Sequence, residues 1–264
     1  MPRIFITGSA DGLGQMAARL LVAQGHEVVL HGRSAERAAQ ALAAVPGAHG
    51  ALHGDLSRID ATRALAAQAN ALGAFDAVIH NAGVGYRERR RIATADGLSH
   101  VFAINVLAPY LLTALMRPPQ RLVYLSSGMH RGVGGLALDD LNWDRRAWNG
   151  ADAYAESKFC DVVLALAVAR RWPGVYANAL EPGWVPTKMG GPGAPDDMDA
   201  APRTQVWLAG SEDAAAKVSG EYFHHLRRRA ADPAASNVAL QDGLMDACAR
   251  MSGVPFPSAQ GGLG

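Results

Sequence analysis

From its start the chain alternates short apolar runs with stretches of helical spacing. Residues 3–7, 27–31, 48–53 and 75–80 read as strands, while segments such as 12–24 and 58–72 bring apolar positions to one face every three or four residues. The run at 75–80 is nearly all apolar, the pattern of a strand buried on both faces. Strand and helix repeating with short connections predict right-handed crossovers and parallel pairing. A long helix at 96–117, a strand at 121–125, a helix beginning near Asp152 and running to 172, and a strand at 175–180 extend the series. Beyond them the pattern predicts a short helix near 212–217, a strand near 220–223, and a helix at 234–251 that covers the sheet edge or a partner subunit. The expected class is α/β, a doubly wound parallel sheet of about seven strands with helices on both faces. Residues 1–254 read as a single domain and 255–264, with little to bury, as a flexible tail. Between 190 and 202 glycine, proline and aspartate crowd together, which reads either as a mobile lid or as an ordinary surface loop.

Composition narrows the function classes. With 264 residues and 49% hydrophobic content the chain can build a large core, and its net charge of +1 leaves no footprint for nucleic acid or acidic lipid. The arginine runs 87–91 and 227–229 read as solvated faces. The apolar run 162–169 is too short to span a bilayer, and a strand that starts by Ile4 leaves no room for a signal peptide, so a cytoplasmic location is expected. Two cysteines, Cys160 and Cys248, give neither a disulfide framework nor metal spacing, and His224 with His225 has no third ligand at a supporting distance. No metal site is expected.

Candidate chemistry gathers where strands end. The first strand runs into T-G-S-A-D-G-L-G, in which Gly8, Gly12 and Gly14 let the backbone approach a pyrophosphate at a helix N-terminus. After the second strand the chain reads H-G-R-S. Gly32 stands where an acidic residue would hold ribose hydroxyls, and Arg33 follows it, which points to NADP(H) over NAD(H). Asp11 would repel a 2′-phosphate unless it caps the first helix. Asp55 ends the third strand, where it could meet an adenine amino group or cap the next helix with Ser57. Asn81-Ala82-Gly83 ends the fourth, where the amide can tie strand ends and the small residues leave room for a ribose. Asn105 lies in an apolar helical turn and either holds a water or is a satisfied structural amide. Ser126 and Ser127 end the fifth strand, where a hydroxyl can donate to a carbonyl.

Tyr154 and Lys158 stand four apart on a helix and so share a face. An ammonium beside a phenol favours the phenolate and makes the hydroxyl a usable proton donor or acceptor. Arginine outnumbers lysine 22 to 3 in this chain, so a lysine here suggests that a compact ammonium is required. Glu156 is two residues from each partner and faces elsewhere. Trp143, Trp148 and Trp184 read either as walls of an apolar pocket or as structural tryptophans.

In this order, the glycine turn, Asp55-Leu56, Asn81-Ala82-Gly83, Asn105, Ser126-Ser127, Tyr154 with Lys158, and P-G-W-V-P-T at 182–187 resemble the short-chain dehydrogenases/reductases, from residue 3 to about 253. The spacer containing D-D-L-N-W-D-R-R and the late S-G-E-Y-F are most similar to the retinol dehydrogenase-like, NADP-dependent branch. The resemblance implies a Rossmann-type fold and an NADP(H)-dependent oxidoreductase acting on a small carbonyl or alcohol. It implies Tyr154 as general acid and base, and Lys158 as the residue that lowers its pKa and binds the nicotinamide ribose. Ser127 would orient the carbonyl, with Ser126 as fallback, and Asn105 would hold a water linked to Lys158. The implied cofactor site comprises Gly8, Asp11, Gly12, Leu13, Gly14, Arg33, Asp55, Leu56, Asn81, Ala82, Gly83, Tyr154, Lys158, Pro182, Gly183, Val185 and Thr187. Pairing through the two central helices, as in relatives, would give a homodimer or homotetramer. The alternative is a non-catalytic NADP(H)-binding sensor, which would not need the serine, tyrosine and lysine together.

Overall fold

A computed structural model describes residues 1–258. Eight strands form one sheet in the order β3-β2-β1-β4-β5-β6-β7-β8. They are β1 (Arg3–Ile6), β2 (Glu27–Gly32), β3 (Gly50–His53), β4 (Ala77–His80), β5 (Arg121–Leu125), β6 (Tyr176–Glu181), β7 (Tyr222–His224) and β8 (Arg227–Arg229). All neighbours pair in parallel except β7 and β8. Every residue of β4 and β5 is buried, as strands covered by helices on both faces must be.

The helices divide the core into two layers. On one face α1 (Gly12–Ala23), α2 (Ala35–Ala44) and α7 (Arg203–Gly210) bury Leu21, Ala41 and Val206 against Ile4, Leu30 and Ile79. On the other, α3 (Ile59–Ala71), α4 (His100–Phe102), α5 (Ala108–Leu115), α6 (Gly150–Arg171) and α8 (Val238–Ser252) bury Leu65, Tyr110, Val162 and Leu244 against Phe5, Val78 and Tyr124. Side-chain caps set several starts. Ser34 accepts from the Arg37 amide, Asn149 from those of Ala151 and Asp152, and Asn237 from those of Ala239 and Leu240.

The pattern misplaced several elements. The long helix starts at His100 rather than 96, because Ala93 and Ser99 pair as an isolated bridge and Thr94 accepts the Gly97 amide in a turn. Between α4 and α5 a π-helical turn, Ala103–Leu107, interrupts the α geometry and contains Asn105. The helix expected at 212–217 is a set of turns, and α7 lies before it. The eighth strand was not anticipated. Its two-residue turn puts His225 at φ 46° and Leu226 at φ 63°, left-handed values that the usual Asn-Gly signal would have announced. Three exposed arginines then form the outer strand, a charged edge that discourages pairing with another sheet.

The run 162–169 packs into the core of the chain. α8 lies along α6, Arg170 and Arg171 both pair with Asp242, and Trp172 stacks on Phe256 at 4.9 Å. Phe256 belongs to the segment read as a loose tail; the rest of that segment, from 259, lies outside the described residues. Among the described residues no helix is long and apolar enough to cross a membrane.

Left-handed backbone costs a non-glycine residue roughly 1 kcal/mol or more. Replacing His225-Leu226 by Asn-Gly therefore raises the thermal midpoint by about 2–4 °C, measured by calorimetry.

Candidate active site

The glycine turn is held open from beneath. Gly8 has φ 63°, and a side chain there would strike Ala82. Gly14 is tighter, since a Cβ would sit 2.4 Å from Asn81 Nδ2 and 2.5 Å from the Gly8 carbonyl oxygen. At Gly12, φ 55°, a Cβ would meet nothing within 4 Å, so this glycine faces open space. Asn81 ties the ends of β1 and β4. Its Nδ2 donates to the carbonyls of Thr7 and Gly8 at 3.0 Å each, and its amide and that of Ala82 both donate to Thr7 Oγ1.

His31, at the end of β2, is a part of this arrangement that the pattern did not reveal. Its Nδ1 accepts from the Gly8 amide at 3.0 Å and its Nε2 donates to the Gly54 carbonyl at 2.9 Å, which fixes the neutral tautomer. Burial pushes its pKa down to about 4. The ring thereby joins the turn to the end of β3 without placing a charge under it.

Asp11 occupies the N-cap position of α1 but makes no side-chain cap bond. Its carboxylate pairs instead with Arg37 at 3.0 Å and Lys188 at 3.1 Å. The first-turn amides of α1 are thus left facing outward beside Gly12, a cradle that fits a phosphate group. Arg33 is exposed just past β2, and Arg37, which sequence reading missed, lies one helical turn further on. Asp55 Oδ1 accepts from the Ser57 amide at 2.9 Å, ahead of α3, whose N-cap residue is Arg58, and Leu56 is buried in the core.

On α6 the helix periodicity brings Tyr154 and Lys158 to the carboxyl ends of β4 and β5. Lys158 Nζ donates to the Leu125 carbonyl at 2.7 Å and to Asp161 at 2.8 Å, and lies 5.9 Å from the Tyr154 ring centre. Ser127 lies beside the Tyr154 phenol, where it favours the ionised form, and its Oγ accepts from the Met129 amide at 3.3 Å. Ser126, in contrast, is buried and donates to the Lys158 carbonyl at 2.6 Å, so it serves the backbone of α6. Burial raises the phenol pKa, and Lys158 and Ser127 only partly counter it. The sequence weighed the ammonium but not the desolvation, which wins here.

The Asn105 side chain finds its partners within the protein. Oδ1 accepts from the Val84 amide at 2.8 Å, while Nδ2 donates to the Val84 carbonyl and to Ser157 Oγ. It thereby pins the segment containing Gly83, whose missing side chain faces Asn105 Oδ1 and Lys158 Nζ.

The loop after β6 folds over this edge. Pro182 precedes Gly183, which has φ 92°; Val185 is buried; and Thr187 Oγ1 accepts from the Gly190 amide. Asp196 accepts the Trp184 amide at 2.6 Å, and the Trp184 indole donates to the Gly190 carbonyl. Met189 then reaches the Tyr154 hydroxyl, with its sulfur 3.8 Å away, a contact no local signal could have announced. Trp143 lies outside the site, since Arg146 covers its ring at 3.9 Å and its indole donates to Glu156. Among the described residues no group of three or more metal-ligating side chains forms.

Comparison with known proteins finds relatives of the whole fold. The family model described as short chain dehydrogenase matches residues 2–129. An uncharacterized oxidoreductase of Emericella nidulans is 48% identical over 261 residues, covering 97% of this chain and 99% of its own length. Retinol dehydrogenase 13 of Homo sapiens is 31% identical over 291 aligned positions, covering 97% of this chain and 86% of its own. An uncharacterized protein from Mycobacterium paratuberculosis shares the fold in its crystal structure, with a TM-score of 0.83 at 24% identity over 97% of this chain and 95% of that one.

The buried histidines give the chain a pH dependence. The folded pKa of His31 is about 4 and that of His80 about 3, both below the unfolded 6.5, so the unfolded state binds more protons beneath that value. Their contribution to stability is complete above about pH 6.5 and is lost as pH falls, through about 4 for His31 and about 3 for His80. The thermal midpoint should fall across this window, and His31→Gln should flatten the slope by about one proton.

Proposed function

Because the chain belongs to the short-chain dehydrogenase/reductase family, close to its retinol dehydrogenase-like members, and is on that ground an oxidoreductase, we propose that it interconverts a carbonyl and an alcohol with NADP(H). The observation that carries this reading is the meeting of Tyr154, Ser127 and Lys158 at one sheet edge, opposite the glycine turn. A nicotinamide dinucleotide bound along that edge would supply or accept the hydride. The residues that would hold it are Gly8, Asp11, Gly12, Leu13 and Gly14 at the pyrophosphate, Asp55 and Leu56 at the adenine, and Asn81, Ala82 and Gly83 at the ribose. Pro182, Gly183, Val185 and Thr187 would hold the carboxamide.

Reduction of a carbonyl builds negative charge on its oxygen, and that charge needs a donor in place as it forms. Tyr154 gives its proton to this oxygen, and its buried, raised phenol stays protonated until then. Ser127 donates to the same oxygen and fixes its direction. Lys158 supplies the positive charge that stabilises the phenolate left behind, and its remaining N–H is directed to the ribose. Asn105 acts through Val84, holding the Gly83 segment where the ribose passes. Oxidation of an alcohol runs the same steps in reverse.

NADP(H) is favoured over NAD(H) on the charges near β2. No acidic side chain occupies Gly32, Arg33 and Arg37 flank the helix start, and Asp11 is neutralised by Arg37 and Lys188. The substrate reading is a small apolar carbonyl or alcohol, since Met189 and Tyr86 flank the Tyr154 hydroxyl and ring. No observation favours a non-catalytic sensor.

Tyr154→Phe should lower turnover by about 10²–10⁴-fold while NADPH affinity, measured by fluorescence titration, stays within about twofold. Arg33→Ala combined with Arg37→Ala should raise the KM for NADPH at least about tenfold and leave that for NADH nearly unchanged.

A further inference from the structure

The family resemblance accounts for Tyr154 and Lys158 but not for the carboxylate beside them. Asp161 follows Lys158 by three residues on α6, so positions 154, 158 and 161 form one row along the helix. Its Oδ2 accepts from Lys158 Nζ at 2.8 Å, and both side chains are buried, at 6% and 3% exposure. An ammonium has three donors. Leu125 takes one and Asp161 a second, and Gly83, where an added Cβ would lie 3.6 Å from the same nitrogen, leaves room beside it for the third.

We infer that Asp161 is the buried counter-ion that holds Lys158 as an ammonium beside Tyr154. This rests on the acid–base reading of that tyrosine. A lysine buried to this extent loses the water that stabilises its charge, and without a counter-ion such a group gives up its proton near neutral pH. Leu125 supplies only a carbonyl dipole. The other groups that face the pair cannot replace the carboxylate. Tyr154 on the same helix, Tyr124 from β5 and Tyr86 from the loop after β4 are all phenols, and Cys160 is a buried thiol with its pKa raised. Glu156, the other acid of this helix segment, is engaged by Arg146 and Trp143. Asp161 thus acts on the reaction only through Lys158, as a positioning residue. Its charge also opposes that of the ammonium at Tyr154, so the phenol is less activated than a lone lysine would make it.

The chain has three lysines, and the other two, Lys188 and Lys217, are at or near the surface. Lysine labelled with carbon-13 at Cε therefore gives three signals whose shifts report the charge of each amine directly, independently of turnover. In the unmodified protein the Lys158 signal should keep its ammonium shift to a higher pH than those of Lys188 and Lys217. In Asp161→Asn, which keeps the shape and an oxygen acceptor, it should titrate at least about one unit below both. Turnover of Asp161→Asn should be close to normal at about pH 6 and fall on the basic side with the midpoint of its Lys158 signal, by about tenfold one unit above that midpoint, whereas Asp161→Glu should restore the basic limb. If the amide variant does not fold, Asp161→Ser carries the same titration. An unmodified Lys158 that titrates below the surface lysines, or a folded neutral variant whose Lys158 signal matches the unmodified protein, overturns the inference. A turnover loss that is uniform across pH does so as well. The labelled titration stands even if Tyr154→Phe remains fully active, which would instead refute the acid–base reading.

Discussion

A charged lysine has been taken out of water at the carboxyl edge of the sheet, and the surrounding structure is arranged to keep it there. Removing one partner of a buried ion pair typically costs about 3–5 kcal/mol, so Lys158 and Asp161 constrain α6 and the end of β5 together. Their fit requires α6 to lie with one face on the strand ends. The Asn149 cap fixes where the helix begins, and Gly150 permits the close approach to the Glu88 carbonyl, where a Cβ would be 2.4 Å away. Ser126 adds a bond from the strand end to the Lys158 carbonyl. The phenol, one turn earlier on the helix, takes its position from these contacts.

The buried supports of the opposite half of the edge carry no charge. Asn81, Thr7 and a neutral His31 hold the glycine turn through short polar contacts, leaving the α1 N-terminus as the local source of positive potential. A phosphate drawn to that terminus meets no buried carboxylate. The charges needed to balance Asp11 come from α2 and from the loop after β6, so this loop is attached both to the glycine turn through Lys188 and to Tyr154 through Met189.

Much of this was legible because the informative spacings are local. Tyr154 with Lys158, the glycine turn and Asn81 all reveal themselves within a few residues of sequence; the last two follow strand ends, and the helix carrying the first packs on one. Asp161 was equally local, three residues past Lys158, yet an acid on a helix is ordinarily solvated and only the burial of α6 on all sides makes it exceptional. His31 and Arg37 matter through contacts 23 and 26 residues away. Met189 acts across 35 residues of chain. The π turn at Asn105 and the tight turn at His225-Leu226 carry no residue signature, since the side chains there are those of an ordinary helix and an ordinary loop.

The account depends on hydride passing between a nicotinamide and a carbonyl carbon at the edge where Tyr154 stands. The most direct measurement supplies NADPH doubly deuterated at the nicotinamide C4 together with a panel of aldehydes and ketones, and examines the products by mass spectrometry. The account predicts an alcohol carrying one deuterium on its carbinol carbon. NADPH that binds tightly but delivers no deuterium to any carbonyl, or an alcohol formed without the label, would contradict it.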